Sequence, residues 1–487
     1  MIHCVKFLML AGAALTVAAA PVAPADAGLA ANHRLERDGM AGSFSIEGAS
    51  GISSVDGTVL AYVFELAPAG YVVVPADDAL PPVMAYSYTS GFWNGEGQTF
   101  GMSDLLRIDL EKRMSCIDLI SGEAALANTR EWEAALSGSF DPGPAAMLEQ
   151  WPPSGSTPTG GWLWENWTQG SPYNAYCPMD LNAGSRSVAG CPAVAMGMIV
   201  DNLETTNSTR FSDSDDYHHV YLENYWIDDD HVAHDFPSWP ELNGMLDILD
   251  THYGQSTPLT NSDKAALVFA CGSACKQVYS ASGSGTFGVG QAHDAYIRFG
   301  FEDCELLDAE SDSLFEKLSQ NMMDALPAHL AIVDAAWQYG HNIVVDGYNT
   351  DDYYHFNFGW GGSTNGWYQF PLSGMPYQMN IIEGLVLNIR LDSTGIDPED
   401  PAGFVSLRCQ SNPCPSDPSI SIDLALPGHA AVRVFGVDGR LEGTLLDGSL
   451  AAGSHTLTWP GGLPTGVYIV RADAGSAYDT LRLVVLE

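Results

Sequence analysis

Basic residues are scarce in this chain: 19 Lys and Arg stand against 60 Asp and Glu, a formal net charge of −41 over 487 residues. Nucleic acid and anionic membrane would each need a basic patch, so the composition argues against both as partners. Long apolar runs are also missing beyond the N-terminus. Residues 1–27 carry Lys6, an apolar run over 7–20 and Ala25-Asp26-Ala27, the pattern of a cleavable export signal, and no later stretch is apolar enough to cross a bilayer. Metal-ligand spacing is lacking too. The acidic runs Asp213-Ser214-Asp215-Asp216 and Asp228-Asp229-Asp230 have neither the spacing nor the closing Glu of a calcium loop, and His218, His219, His231 and His234 beside them are a weak zinc signal. No metal and no cofactor is expected. A formal Gly-x-Gly-x-x-Gly over residues 283–288 has no βαβ surroundings, which excludes a dinucleotide reading.

What the chain does have is a cysteine placed for chemistry. Cys191 follows Val188-Ala189-Gly190 and opens the apolar, helix-forming run Pro192-Ala193-Val194-Ala195-Met196. A free thiol is mostly protonated at neutral pH, and a helix N-terminus with a nearby imidazolium lowers its pKa by units. Far downstream, Gly340-His341-Asn342-Ile343-Val344-Val345-Asp346-Gly347 reads as a strand ended by a glycine turn, and Tyr353-Tyr354-His355-Phe356-Asn357-Phe358 as a second strand. Two adjacent strands would hold His341 beside Asn357, whose amide oxygen would orient the ring toward the sulfur. Gly359-Trp360-Gly361-Gly362 would lay an indole over that pair. Taken singly, Cys191 reads as a buried structural cysteine and His341 as an ordinary strand histidine.

Three separated segments, residues 167–174, 190–196 and 340–362, together resemble the streptopain family of secreted, papain-like cysteine peptidases. The resemblance implies an α+β fold, a papain-like two-subdomain peptidase, with Cys191 and His341 as the catalytic pair. It further implies Gln169 as oxyanion donor through its side-chain amide, and Asn357 and Trp360 as supports of His341. Two positions depart from the family pattern: Phe358 replaces a tryptophan, and Pro192 replaces the usual valine, a mild change in a first helical turn. Residues 58–66, 70–78 and 81–87, read as short strands, and the helical stretch 103–121 resemble the family's inhibitory propeptide. The expected organisation is a signal peptide over 1–27, a small α+β propeptide over 28–148, a catalytic domain over 149–391, a linker over 392–402 and a C-terminal immunoglobulin-like β-sandwich over 403–487. Glycine turns such as Asp438-Gly439 separate the C-terminal strands, and Leu463-Pro464-Thr465-Gly466-Val467-Tyr468 looks like a secretion-sorting or FlgD-like module.

Nine cysteines suit an exported chain. Setting aside Cys4, Cys116 and a reserved Cys191 leaves Cys177, Cys271, Cys275, Cys304, Cys409 and Cys414, enough for three bridges, with Cys409 and Cys414 near enough to pair locally. The expected activity is hydrolysis of peptide bonds in protein substrates through an acyl-enzyme, by a secreted or surface-attached zymogen cut near residues 145–153, with its own propeptide as inhibitor. The Ser/Gly-rich segment 279–288 is expected to wall the cleft. The resemblance implies an apolar side chain before the scissile residue. Two other readings stand beside this one: a catalytically silent surface or adhesion protein that kept the fold, and an acyltransferase using the same dyad.

Overall fold

The computed structural model describes residues 20–93, 95, 101–117, 120, 122–137, 149–309, 311, 313–333, 340–369 and 382–391, and most of the chain beyond residue 404. It divides into two compact units, Met1–Asp392 and Ser393–Glu487. The first unit opens with α1 (Pro24–Arg37), which has proline in its first turn and Arg34 and Arg37 in its last, where cations suit the helix dipole. Ala27, Ala30 and Ala31 of this helix are buried, so the folded chain begins ahead of the signal boundary expected at residue 27. Of the residues that resemble a cleavage motif, Ala27 packs in the core and Ala25 is exposed.

An antiparallel meander follows: β1 (Ser45–Ser53), β2 (Val59–Ala67), β3 (Tyr71–Pro75) and β4 (Ala85–Ser87). β3 is a β-branched run buried on both faces, Tyr71 and Val73 in one core and Val72 and Val74 in another. The helical stretch read over 103–121 holds α2 (Met102–Ser115), and a further helix, α3 (Gly122–Ser137), follows it.

The remainder of this unit starts at β5 (Gln150–Trp151) and continues through β6 (Met179–Asp180), β7 (Ser185–Arg186), α4 (Cys191–Asn202), β8 (Tyr217–Tyr221) and β9 (Glu223–Ile227). Next come α5 (His231–His234), α6 (Trp239–Gly254), α7 (Asn261–Ala274), α8 (Val289–Arg298), β10 (Glu305–Asp308) and α9 (Leu314–Met323). Local chemistry sets the helix starts: Thr260 accepts from the Asp263 N–H, and Asp263 answers at the Thr260 N–H. The last strands are β11 (Ala328–Val333), β12 (Gly340–Asn349), β13 (Tyr353–Asn357), β14 (Gly366–Gln369) and β15 (Ile382–Leu387).

One sheet runs through both halves of the unit, in the order β1-β2-β3-β4-β14-β13-β12-β11-β15-β10, with β5 on β12. The N-terminal meander therefore continues the later sheet, through the pairs Tyr86–Trp367 and Ala85–Tyr368. The seam is polar as well as apolar. Arg113 and Asp109, both buried on α2, pair at 2.6 Å; Arg113 donates to the Gln369 carbonyl at 2.9 Å, and the Tyr368 hydroxyl donates to Asp109. Gly366 is required there, since a Cβ would meet the Tyr86 carbonyl at 2.8 Å and collide with the Tyr71 hydroxyl.

The sheet separates two cores, and this division places the site. Val344 faces the core built on α4, α6, α7 and α8, whereas Ile343 and Val345 face the core shared with α2 and α9. Alternate residues of β12 thus belong to different environments. In the second unit, β16 (Val405–Cys409) and β17 (Ser419–Leu424) form a sheet with β20 (Gly453–Thr458). β18 (Gly428–Gly436), β19 (Leu441–Leu450), β21 (Gly466–Ala474) and β22 (Ala477–Val485) form another, and the two share one apolar core. The linker 392–402 and the Asp438-Gly439 turn lie outside the described residues.

Cys177, Cys271, Cys275 and Cys304 are unbridged, which corrects the expectation of three disulfides. They pack as small apolar side chains, and burial pushes the Cys177 thiol up to about 12 and that of Cys304 to about 11. Cys409 and Cys414 adjoin in the second unit. Asp216, Asp228 and Asp229 bring carboxylate oxygens within 4.8 Å of one another, and Trp239 donates to the first two. His219 and His234 sandwich Tyr225, with ring centroids at 4.2 and 3.8 Å.

Candidate active site

Cys191 is the first residue of α4, and the turn before it demands glycine. Gly190 has φ 87° and lies against Gln277, whose Oε1 a Cβ would meet at 2.6 Å. Gln277 is fully buried and donates to the Ala189 carbonyl at 2.7 Å, which clamps the turn. Pro192 occupies the first helical turn, where its missing N–H costs nothing. The Ala189 N–H donates to the Gln169 carbonyl at 2.8 Å, so Gln169 is tied to the turn that carries the sulfur.

Strand alternation decides what faces that sulfur. His341 pairs with Ile332 across the sheet and lies on the side of Ile343 and Val345; Asn342 pairs with Ala331 and lies on the side of α4. The residue beside the sulfur is Asn342, whose Nδ2 donates to Cys191 Sγ at 3.8 Å. His341 is buried, and its Nε2–H donates to the Phe358 carbonyl at 2.8 Å. Trp360 stacks on the imidazole at 5.1 Å and 10°. Among the described residues no hydrogen bond joins His341 to Cys191 or to Asn357. Asn357 donates instead to Asn166 Oδ1 at 3.1 Å and accepts from the Gly359 N–H at 3.1 Å.

The structure therefore brings Trp360 onto His341 and Gln169 to the Cys191 turn. The expected Asn357–imidazole hydrogen bond is replaced by one from His341 Nε2–H to the Phe358 carbonyl, the next residue along the chain. The electrostatics agree with that geometry. Burial raises the Cys191 thiol above its ordinary value, outweighing the Asn342 donors that favour a negative sulfur. Burial also lowers His341 to about 4, so its ring is neutral and supplies no cation.

Sequence reasoning missed Asn342, His329, Tyr296, Gln277 and Asn166. For Asn342 the signal was its place on the predicted strand, directly after His341.

An α+β unit with a cysteine opening a buried helix, faced by a histidine-bearing strand and extended by an N-terminal meander, defines a papain-like cysteine peptidase with a docked prodomain. Residues 167–368 match the Peptidase C10 family and residues 19–112 match the Spi protease inhibitor family, which together support a streptopain-like cysteine peptidase with a propeptide. The Thiol protease/hemagglutinin PrtT of Porphyromonas gingivalis is 25% identical over 311 residues, which cover 61% of this chain and 32% of that protein. The chain thus spans about a third of the length of that curated relative. Among solved structures, a prointerpain A fragment of Prevotella intermedia is 18% identical, over 71% of this chain and 99% of that chain, with a TM-score of 0.47. Active interpain A of the same organism is 21% identical, over 47% of this chain and 94% of that chain, at a TM-score of 0.34.

Proposed function

We propose that the chain is the zymogen of an exported endopeptidase, held latent by its own N-terminal domain. The observation that carries this reading is the shared sheet: the propeptide meander hydrogen-bonds to β14, two strands away from the strand that bears His341. A thiol whose pKa is raised is a poor nucleophile at neutral pH. Removing the propeptide frees the β14 edge.

In the active arrangement the Cys191 thiolate attacks the scissile carbonyl. The oxyanion is held by the Cys191 main-chain N–H and the Gln169 side-chain amide. His341 protonates the leaving amine and then activates water to release the acyl group, with Asn357 and Trp360 supporting the ring. Substrates are proteins or peptides, with an apolar side chain before the scissile residue.

The maturation cut falls ahead of Glu149, because Gln150 and Trp151 pair with β12 and a cut within them would open the catalytic sheet. The export signal ends ahead of Pro21, whose bridge to Asp77 belongs to the folded propeptide. The second unit serves sorting or surface attachment. Among the described residues no helix is long and apolar enough to cross a membrane.

The test is incubation of purified full-length chain with a protein substrate, beside Cys191→Ala. Conversion to a smaller species together with peptide-bond hydrolysis is expected for the wild type alone. Hydrolysis by Cys191→Ala at the wild-type rate, or amine incorporation outrunning hydrolysis in the wild type, would overturn the reading.

A further inference from the structure

The Phe358 carbonyl that takes the His341 Nε2–H is itself held in place by side-chain amides. That carbonyl shares a peptide with the Gly359 N–H, which donates to Asn357 Oδ1 at 3.1 Å; the Phe358 N–H, one peptide earlier, donates to Asn365 Oδ1 at 2.9 Å. Both asparagines are buried, and their Nδ2 atoms converge on one acceptor, Asn166 Oδ1, at 3.1 Å from Asn357 and 2.9 Å from Asn365. A main-chain bond runs beside this clasp, from the Gly361 N–H to the Trp167 carbonyl at 2.8 Å.

The backbone fixes the direction of each amide. A peptide N–H only donates, so Asn357 and Asn365 must each present oxygen to it and are left with an NH2 group to place. Asn166 Oδ1 has two lone pairs and takes one bond from each. Without it, two buried donors lose their acceptor, and an asparagine that turns its amide to find another releases the peptide it holds.

The consequence reaches the base. With Nε2–H given to Phe358, the neutral imidazole keeps Nδ1 bare, and that is the nitrogen able to take a proton. Once it does, the ring is a cation and its bond to the carbonyl strengthens. Among the described residues no charged side chain acts on His341; burial disfavours the cation and the Phe358 carbonyl favours it. The aim of that carbonyl therefore sets which nitrogen is free and how readily the ring holds a proton.

We infer that Asn166 is a positioning residue for His341: its side-chain oxygen gathers Asn357 and Asn365, which together aim the Phe358 carbonyl at Nε2 and so leave Nδ1 as the basic nitrogen. The inference rests on the proposed catalytic role of His341. Asn357 supports the histidine through a peptide rather than by direct contact. Because Asn166 lies three residues ahead of Gln169, one side chain joins the segment of the proposed oxyanion donor to the segment that orients the base.

The experiment measures kcat, KM and the pH profile of kcat/KM in mature enzyme obtained from the full-length chain, for wild type, Asn166→Ala, Asn365→Ala and Asn166→Asp. Losing one hydrogen bond of this kind is worth roughly three- to tenfold. Asn166→Ala and Asn365→Ala are each expected to lower kcat by that factor with KM within about twofold, and to move the alkaline limb, which reports loss of the imidazolium proton, acidward by about half to one pH unit. Asn166→Asp keeps the accepting oxygen and adds a negative charge, so it is expected to restore kcat and to return the alkaline limb to its wild-type position or carry it further to the alkaline side. Asn365→Ala, which leaves the 166–169 segment intact, supplies the same test where Asn166→Ala does not fold.

Wild-type kcat with unmoved limbs in Asn166→Ala and Asn365→Ala would overturn the inference. So would a fall in kcat with the alkaline limb unmoved, or one that Asn166→Asp fails to restore, since either would mean that the clasp serves the fold or Gln169 alone. The underlying reading fails separately: mature His341→Ala enzyme that hydrolyses peptide bonds at the wild-type rate removes His341 as the base and this inference with it.

Discussion

Replacing Arg113 with leucine should loosen the propeptide from the catalytic domain without touching the catalytic residues. Arg113 and Asp109 are 0% and 1% exposed and paired at 2.6 Å, and Arg113 reaches across the seam to the Gln369 carbonyl at 2.9 Å. Removing one partner of a buried ion pair costs about 3–5 kcal/mol, because the remaining charge stays desolvated. Part of that loss falls on the seam itself: a hydrogen bond from a charged donor contributes about 1.5–3 kcal/mol, and each 1.4 kcal/mol is tenfold in an opening equilibrium. Opening at β14 should therefore rise roughly 10- to 100-fold.

Hydrogen exchange of the Gly366–Gln369 amides in a Cys191→Ala background reads this directly, and the rate of propeptide loss in active chain reads its consequence. The double variant Arg113→Leu/Asp109→Leu separates the two parts of the loss. It should recover folding stability, since no lone charge remains, but not the seam, since Gln369 and Tyr368 have both lost a partner. Exchange at β14 and maturation both within twofold of wild type in Arg113→Leu would refute the reasoning.

Gln169→Ala in mature enzyme should lower kcat about 10²–10³-fold with an unchanged melting temperature; retention of full turnover would exclude Gln169 from the oxyanion site. Gly190→Ala should cost activity and at least about 1 kcal/mol of stability, because its φ of 87° is strained for alanine and its Cβ meets Gln277, as urea unfolding beside peptidase assays would show. His341→Phe should flatten the acid side of the stability curve of the uncleaved chain. His341 is held near 4 against an ordinary 6.5, so between those values the unfolded chain binds a proton that the folded chain does not. Its contribution is fully present above about pH 6.5 and is lost as pH falls toward 4, about 2 kcal/mol between pH 7 and 5. Parallel wild-type and variant curves over that range would contradict the burial of His341.

Much of this architecture was legible because it is written locally. The β-branched run at Val72–Val74, the glycine before Cys191 and the strand after His341 each specify a short element whose pattern matches its structure. The family segments placed Cys191 at a helix start and His341 on a strand as well. What escaped was non-local. Nothing in residues 85–87 or 366–369 alone announces that β4 and β14 pair, and the buried Arg113 reads in sequence as a surface charge on a helix. Which core claims each face of β12 is settled by helices distant in sequence. The cysteine arithmetic failed for a related reason: parity cannot tell a bridge from four thiols buried as small apolar side chains.

The most direct measurement is the pH dependence of Cys191 alkylation before and after propeptide removal, in wild-type and His341→Ala chains. The account predicts slow labelling of the uncleaved chain that rises only on the alkaline side, and fast labelling of the mature chain with a midpoint moved well to the acid side, the shift being abolished by His341→Ala. Superimposable profiles before and after maturation would contradict it.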